Sequence, residues 1–458
     1  MLNQLKQHIK DRGWLQAGDK LLLACSGGID SMVMLHLFSG MAEEMNIKLA
    51  LGHVNHQLRE SAKDDERFVR RQATKLGLEC YTASADVQKR SDKLGISMEM
   101  AARELRYYHL ERMRGEIDAR YICTAHTKSD QAETVLMRLA HGTGIHGIRG
   151  IHEQRDHLLR PLLTFSRSEI QEYAVSHAID YREDPTNTDV TIERNWIRHK
   201  LFPMLRDNLN PRIEEALFRF SAAQSEVSEY LEHQAAEAME SLLLRRSERE
   251  IVLDIRGFRD YFTALQKQII MNSMEELNPS YQSLTYPQMQ QLYQILTEGS
   301  SGQSIELPNG ISVMRSAGRV LFSMEDLSGQ KSVDFNPTRQ IRFGPCVIHK
   351  AETHNVTDQA YTVSNEWEAF FDKAVLMERN LCWRNWKNGD KMVLANGSTK
   401  KVSDIWIDNN VPVWEKLRRP LLVEGDKVYW IPGVKRSGFA WITPESDSVI
   451  YIKVESVL

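Results

Sequence analysis

The sequence is poor in cysteine, and the cysteines it has are not arranged to work together. Cys25, Cys80, Cys123, Cys346 and Cys382 are scattered through 458 residues with no CxxC and no paired Cys/His spacing. This excludes a disulfide framework and a structural zinc site, and reads as five reduced thiols. No stretch approaches the roughly 18 apolar residues that a membrane span needs. The opening MLNQLKQHIKDRGW is polar and amphipathic, without the apolar core of a signal peptide. Both absences point to a cytoplasmic protein with no membrane partner. A strong charge bias is also missing: 58 Lys+Arg stand against 62 Asp+Glu. That excludes a uniformly basic coat and leaves local basic patches open. One further absence is local. LLLACSGGIDSMVMLHLF (21–38) sets two adjacent glycines between a strand pattern and a helix pattern, yet lacks the lysine of a GxxxxGK[ST] phosphate loop.

What is present is a rhythm. Strand-like runs at 20–25, 48–54, 78–83 and 120–125 alternate with helical patterns near 28–45, 62–77, 98–115 and 129–140. Such βαβα alternation predicts an α/β fold with a doubly wound parallel sheet, whose ligands bind beyond the carboxyl ends of the strands. The chemically interesting residues do follow strand ends: Ser26-Gly27-Gly28-Ile29-Asp30-Ser31, then His53, Asn55 and His56, then His126. Ser166 and Glu169 have capping-box spacing at the start of another helix. A long helical pattern over 210–245, with Ile213, Leu217, Phe220, Val227, Leu231 and Met239 near one stripe, leads into a second region. Helical segments near 257–273 and 287–298 follow, then a short strand pair at 304–323 turning at Asn309-Gly310. From about 330 the chain reads as short strands and turns rich in Trp, Gly and Pro. A chain this long exceeds one ordinary core. The expected division is a nucleotide-binding catalytic domain over 1–210, a mainly helical middle domain over 211–328 and a β-rich domain over 329–458.

Three segments can carry chemistry. Gly27 and Gly28 allow the backbone to approach an anion, and the helix that follows adds the positive end of its dipole. Ser26 and Ser31 offer hydroxyls, while Asp30 beside an anion nest makes sense if it meets a metal or a polar part of a substrate. The plainer alternative is a tight βα turn with a serine cap. Asp130 and Glu133, three apart, share a face at the start of a helix. They read either as capping residues or as carboxylates that hold Mg²⁺ and take a proton from an amine. In RNWIRHKLFPML (194–205), Arg194, Asn195 and Arg198 lie within about one helical turn, an ordinary amphipathic pattern whose guanidiniums also suit phosphate.

The SGGIDS string after a buried strand resembles the PP-loop of the ATP-pyrophosphatase superfamily. GHVNHQLRESAKDDERFV (52–69), with His53, Asn55, His56 and Arg59, resembles the second-strand motif of tRNA(Ile)-lysidine synthetases. Of that family's AHHxDDQxET pattern the chain keeps Ala125-His126 and Asp130-Gln131-Ala132-Glu133-Thr134, with Thr127 in place of the second His and Ser129 in place of the first Asp. Asp184-Pro185-Thr186-Asn187 followed by Arg194-Asn195 and Arg198 resembles the D-x-[ST]-N…RN-x-[IV]-R signature. Residues 381–434 resemble the family's C-terminal domain, with NGDKM at 388–392 replacing the common PGDR form.

The resemblance runs through nearly the whole chain in segment order. It implies a ligase that uses ATP and Mg²⁺ to join free L-lysine to the wobble cytidine of CAU-anticodon tRNA(Ile) through an adenylated cytidine, changing codon reading from AUG to AUA. It further implies catalytic roles for Asp30, Asp130, Glu133 and Arg198, with Asp30 and Asp130 at the metal. Ser26 to Ser31, His53, Asn55, His56 and His126 would bind ATP. Arg59, Asn187, Arg194, Asn195, Arg384, Lys400, Lys401, Arg418 and Arg419 would contact substrate or tRNA. Trp383, Trp386, Trp406 and Trp414 read either as the core of a small β domain, the commoner case, or as partners that stack on RNA. A tRNA thiolase on the same loop and a noncatalytic ATP- or RNA-binding protein are the alternatives. Whether the protein forms a homodimer is open.

Overall fold

The structure, a computed structural model, describes residues 1–57, 62–183, 188–279, 284–326, 331–349, 352–355, 366–439, 441–443 and 445–456. Arg59 and Asn187, both expected to contact substrate, lie outside these residues. The chain forms two compact units, Met1–Glu229 and Tyr230–Leu458. Among the described residues no helix is long and apolar enough to cross a membrane.

The first unit begins with α1 (Leu2–Arg12), β1 (Lys20–Ala24), α2 (Ile29–Met41), β2 (Lys48–Asn55), α3 (Ala62–Leu76) and β3 (Glu79–Ser84). It continues with α4 (Val87–Leu94), α5 (Met98–Glu116), β4 (Tyr121–Cys123), α6 (Lys128–Ala140) and α7 (Ile145–Ile148). Then come β5 (Gln154–Arg155), β6 (Leu158–Leu159) and α8 (Arg167–Ser176). The sheet order is β3-β2-β1-β4-β6-β5, parallel except for the edge strand β5. Successive residues of β1 supply both faces. Leu21 and Leu23 join α1, α2, α3 and α8 in one core, while Leu22 packs with Leu110 and Met113 of α5 in another. Burial on both sides is why this strand reads as unbroken leucine. The chain runs outward through β2 and β3 and returns on the other side of β1 to β4. The topological switch therefore falls between β1 and β4, whose carboxyl ends carry SGGIDS and His126.

The segment after α8 holds α9 (Glu193–Trp196), a π-type turn at Ile197–Leu201 and α10 (Phe202–Asn208). Pro203, in the first turn of α10, has no N–H to return to the preceding turn, and a widened turn accommodates that loss. The long helix α11 spans Ile213–Leu242, close to the expected 210–245. Its buried seam agrees with the expected stripe only in part: Ile213, Leu217 and Met239 pack into cores, Phe220 and Val227 are exposed, and Ser221, Ser228, Ala235 and Leu242 are buried as well. A seven-residue repeat of mostly small side chains gives little apolar signal, which is why periodicity of large residues misplaces it.

In the second unit β7 (Leu243–Arg246), β8 (Glu250–Asp254), β9 (Ser304–Glu306), β10 (Ser312–Ser316) and β11 (Arg319–Ser323) form a sheet in the order β7-β8-β11-β10-β9. Two helices, Thr263–Leu277 and Tyr286–Glu298, pack on it through Ile269, Ile270, Met274, Leu292 and Leu296. The chain turns at Asn309-Gly310 between β9 and β10, and again at Ala317-Gly318 between β10 and β11. Beyond residue 331 the structure is rich in short strands in two further sheets. Trp383, Trp406, Trp414 and Trp430 are fully buried there. Trp383, Trp406 and Trp414 therefore follow the core reading and not the stacking one, since a core indole has no free face. Gly433 in the WIPG turn has φ of 71°, and a Cβ there would collide with the Trp367 ring.

Candidate functional site

A cavity of about 450 Å³ lies at the carboxyl ends of β1, β2 and β4. Ser26, Gly28, Asp30, Ser31, His53, Asn55, His56 and His126 all line it, so the structure brings together eight of the ten residues expected at ATP. Gly27 and Ile29 complete the loop without lining the cavity. Only Gly27 needs glycine's freedom, with φ of 93°, whereas Gly28 is extended.

The loop's donors are distributed differently from a simple glycine nest. The Gly27 N–H donates to Ser31 Oγ at 3.2 Å, and the Gly28 N–H to Ser26 Oγ at 3.3 Å. Ser31 Oγ in turn donates to the Gly28 carbonyl at 2.8 Å. The two serines hold the loop's shape. The donors left for an anion are the first N–H groups of α2, whose N-terminus carries no side-chain cap. From outside the loop, the Arg182 N–H donates to the Gly27 carbonyl at 2.9 Å, and Arg182 Nε reaches Asp65 at 2.6 Å.

Asp30 stands in that first turn with Oδ1 buried and without a hydrogen-bond partner among the described residues. Burial first, and then the negative charge of Asp130, lift its carboxyl to about 6. His53 Nδ1 lies 2.8 Å from the Cys25 carbonyl, so that nitrogen carries a proton, and Nε2 is buried without a partner among the described residues. Burial, aided by Arg106, holds His56 down at about 4. Burial also lowers His126 to about 3, against the opposing pull of Asp130, and its Nδ1 meets Thr124 Oγ1 at 3.0 Å. His56 and His126 are therefore neutral imidazoles at physiological pH. Asn55 is spent on the chain: its amide donates to Ala62 O at 3.3 Å and Glu66 at 3.4 Å, and its Oδ1 accepts from the Gln57 N–H at 3.0 Å.

Beside Asp30 is a compact group of two carboxylates and two guanidiniums. Glu133, 1% exposed, accepts from Arg194 Nε at 2.7 Å, Arg198 Nε at 2.6 Å and Arg198 Nη2 at 2.9 Å. Asp130 Oδ1 accepts from Arg194 Nη2 at 3.0 Å and Arg198 Nη2 at 3.4 Å. Its Oδ2 accepts from the Thr127 N–H at 2.8 Å and Thr127 Oγ1 at 2.9 Å, closing a capping box on α6. Burial alone would raise Asp130, but Arg194 and the Thr127 bonds outweigh it and hold the carboxyl below its usual range. The expected roles shift accordingly. Both oxygens of Asp130 and both of Glu133 are engaged, so neither is disposed to bind a metal or take a proton, and both orient the arginines. Among the described residues no group of three His, Cys, Asp or Glu side chains is arranged to hold a metal ion. Asn195 donates to the Asp189 carbonyl at 3.0 Å and shapes the turn before α9.

Sequence reasoning misses the wall contributed by α5. Arg106, Tyr107 and Leu110 line the cavity, and Arg160, just past β6, is buried beside it. The available signal is RELRYYHLERMR, where arginines recur on a helix that also packs against the sheet.

The C-terminal arginines occupy different positions from those expected of an RNA surface. Arg384 is buried and clamps Asp390 through two bonds of 2.8 and 2.7 Å. Arg418 is buried against Glu250 of β8 and donates to Ser323 of β11 at 3.2 Å. Arg419 is buried with Glu415 and lies 4.8 Å over the Trp367 ring. These three hold the fold together and present no guanidinium to solvent, which corrects their expected role in phosphate contact. Lys400 pairs with Asp408, and Lys401 is exposed.

The first 205 residues match a family model described as a PP-loop domain, and residues 381–449 match one described as the TilS substrate C-terminal domain. The chain is similar to the tRNA(Ile)-lysidine synthase of Clostridium perfringens (strain 13 / Type A), at 30% identity covering 99% of this chain and 98% of the relative. That of Geobacillus kaustophilus (strain HTA426) is 30% identical, covering 96% of each chain. That of Thermotoga sp. (strain RQ2) is 31% identical, covering 93% of this chain and 94% of the relative.

Proposed function

The chain belongs to the tRNA(Ile)-lysidine synthase family, and we propose that it joins the ε-amino group of free lysine to carbon 2 of the wobble cytidine in CAU-anticodon tRNA(Ile). The product would read AUA in place of AUG. In this reading ATP first adenylates the cytosine 2-carbonyl oxygen and releases pyrophosphate; the lysine amine then attacks carbon 2 and AMP departs. The carbonyl oxygen is a poor leaving group and AMP a good one, which is why the ATP is spent. The observation that carries the proposal is the uncapped N-terminus of α2 beside a cavity whose lining includes Asp30, its Oδ1 without a hydrogen-bond partner among the described residues.

The free N–H groups of α2 would stabilise charge on the departing pyrophosphate, and Arg198, fixed by Glu133, would add its own charge close to Asp30. Mg²⁺ binds through one or two carboxylates plus substrate phosphates, and Asp30's open oxygen fits that mode where Asp130 does not. When bound, the cation would neutralise phosphate charge. Lysine's ammonium must lose a proton before it attacks. Once pyrophosphate has left, Asp30, lifted to about 6, is the carboxylate of the three with an oxygen free to take it. Neutral His56 and His126 can hydrogen-bond a base or nucleoside without repelling the arginines.

The thiolase alternative asks for a reactive thiolate. Cys25 and Cys123 are fully buried in or beside the sheet, and burial pushes both thiols up, so they remain protonated and inert. The decisive assay supplies ATP, labelled lysine and the CAU-anticodon transcript. Pyrophosphate release with label on the RNA is expected. Sulfur incorporation without label would favour the thiolase, and binding without turnover the noncatalytic module.

A further inference from the structure

Four arginines, one lining the cavity and three grouped near it, have no part in the scheme above. Arg106 lines the cavity from α5, and Arg103, one turn earlier, sits 5.2 Å over the Tyr107 ring. Arg160, 6% exposed, hydrogen-bonds the Tyr107 side chain and gives Nη1 to the His152 carbonyl at 2.7 Å, while its Nε is buried without a partner. Arg138, half-buried on α6, donates to the Gly147 and Gly150 carbonyls at 2.5 and 3.0 Å. None of the four pairs with a carboxylate among the described residues, whereas Arg194 beside them pairs with two. Burial, and after it the charge of Arg103, holds Arg138 and Arg160 below the usual arginine range.

Buried or crowded guanidiniums without counter-charge are costly, and carbonyl partners cancel none of the charge. An anion seated among them would supply the counter-charge that the carbonyl partners of Arg138 and Arg160 do not. The group's position argues which one. Arg160 follows β6, two strands from β1 and on the far side of β4, whereas the donors for ATP's phosphates stand at the end of β1. Arg103 and Arg106 are exposed, so the group runs from a buried end to an open one, as a polyanion entering from solution would require. We propose that Arg103, Arg106, Arg138 and Arg160 form a second oxyanion site that takes the phosphodiester backbone of the RNA next to the nucleotide delivered to the cavity. The proposal rests on the tRNA reading above. It adds where the strand is held, by contacts that position without reading sequence.

The test uses the full chain with the Arg103→Gln variant, chosen because among the described residues Arg103 makes the ring contact and no ion pair that its loss would break; Arg138→Gln is the second variant. Binding of the CAU-anticodon transcript is measured across salt concentrations, and ATP binding separately. For each variant the expected result is RNA affinity lowered by about tenfold, a salt slope shallower by about one, and unchanged ATP affinity. Loss of ATP affinity with RNA binding intact would assign the site to the nucleotide's phosphates and overturn the proposal. No change in either, with melting temperatures equal to the parent, would overturn it as well. The labelled-lysine assay on the parent protein is scored independently. A parent that binds the transcript through these arginines but transfers no lysine defeats the functional reading and leaves the phosphate site standing.

Discussion

Arginines are buried in both units of this protein, and they serve opposite purposes. Arg384, Arg418 and Arg419 each meet a carboxylate, Asp390, Glu250 and Glu415 respectively. Arg160 is as deeply buried and meets only carbonyls and a tyrosine, with Arg103, Arg106 and Arg138 beside it equally without acids among the described residues. A buried ion pair is complete in itself and fixes geometry; a buried cation without one is complete only with a ligand. In sequence the first set looks more like an RNA surface, because it alternates with tryptophans in a segment resembling an RNA-binding domain. Burial and pairing reverse that reading.

The strongest way to break the comparison lies at Asp30, the buried carboxylate on the wall of the cavity. Asp30→Ala should lower pyrophosphate release by a factor of ~10²–10³ or more, the scale for removing one preorganised electrostatic group. Near-normal release, followed by a pyrophosphate-coupled assay, would remove Asp30 from the chemistry. On the opposite side, Arg418→Met removes one of the two arginines on Glu250, leaving Arg245 at 2.8 Å and Ser323 at 3.0 Å, and should cost roughly 1.5–3 kcal/mol in denaturant unfolding. ATP affinity should not move. Full stability with weakened RNA binding would return Arg418 to the RNA surface and dissolve the contrast.

A smaller effect of opposite sign sharpens it. The folded protein holds the Asp30 proton more tightly than the unfolded chain does, with a carboxyl near 6 against an ordinary 3.8. Folding therefore loses stability as pH rises through that window, and above it the buried charge costs roughly 1–3 kcal/mol. Asp30→Asn removes the charge. It should raise the melting temperature at pH 8 and leave it unchanged near pH 3, where the carboxyl is protonated in both states, while turnover is lost. A variant no more stable at pH 8 than the parent would mean that Asp30's charge is already compensated.

Much of this site is legible in the amino-acid sequence. Alternating strand and helix patterns locate β1 to β4 within a few residues, and the rule that ligands gather at strand ends singles out Ser26 to Ser31, His53, His56 and His126. The features that sequence reasoning misses have no local signature. The short strands β5 and β6 are two residues each, too brief for periodicity. Arg106 and Tyr107 look like an ordinary helix surface until α5 is laid across the cavity mouth. The partition between Asp30 and the pair Asp130 and Glu133 depends on two arginines more than 60 residues further on. Sequence supplies three carboxylates, and only the fold decides which one retains an open oxygen.

The least costly change bears on why Asp130 belongs to the paired side. Thr127 stands where the family pattern has histidine, and its hydroxyl and N–H together occupy Asp130 Oδ2. Thr127→Ala removes the hydroxyl half of the capping box and should cost about 1 kcal/mol, seen as a fall of ~2–4 °C in melting temperature. Thr127→Ser keeps the hydroxyl and should recover most of the loss. The two variants also test position against stability. With Oδ2 half released, Asp130 can turn from Arg194, so the KM for ATP should rise in Thr127→Ala and return in Thr127→Ser. A stability loss with an unchanged KM would confine Thr127 to capping α6 and show that Glu133, with its three bonds, and Asp130 Oδ1 hold the arginine pair without its hydroxyl.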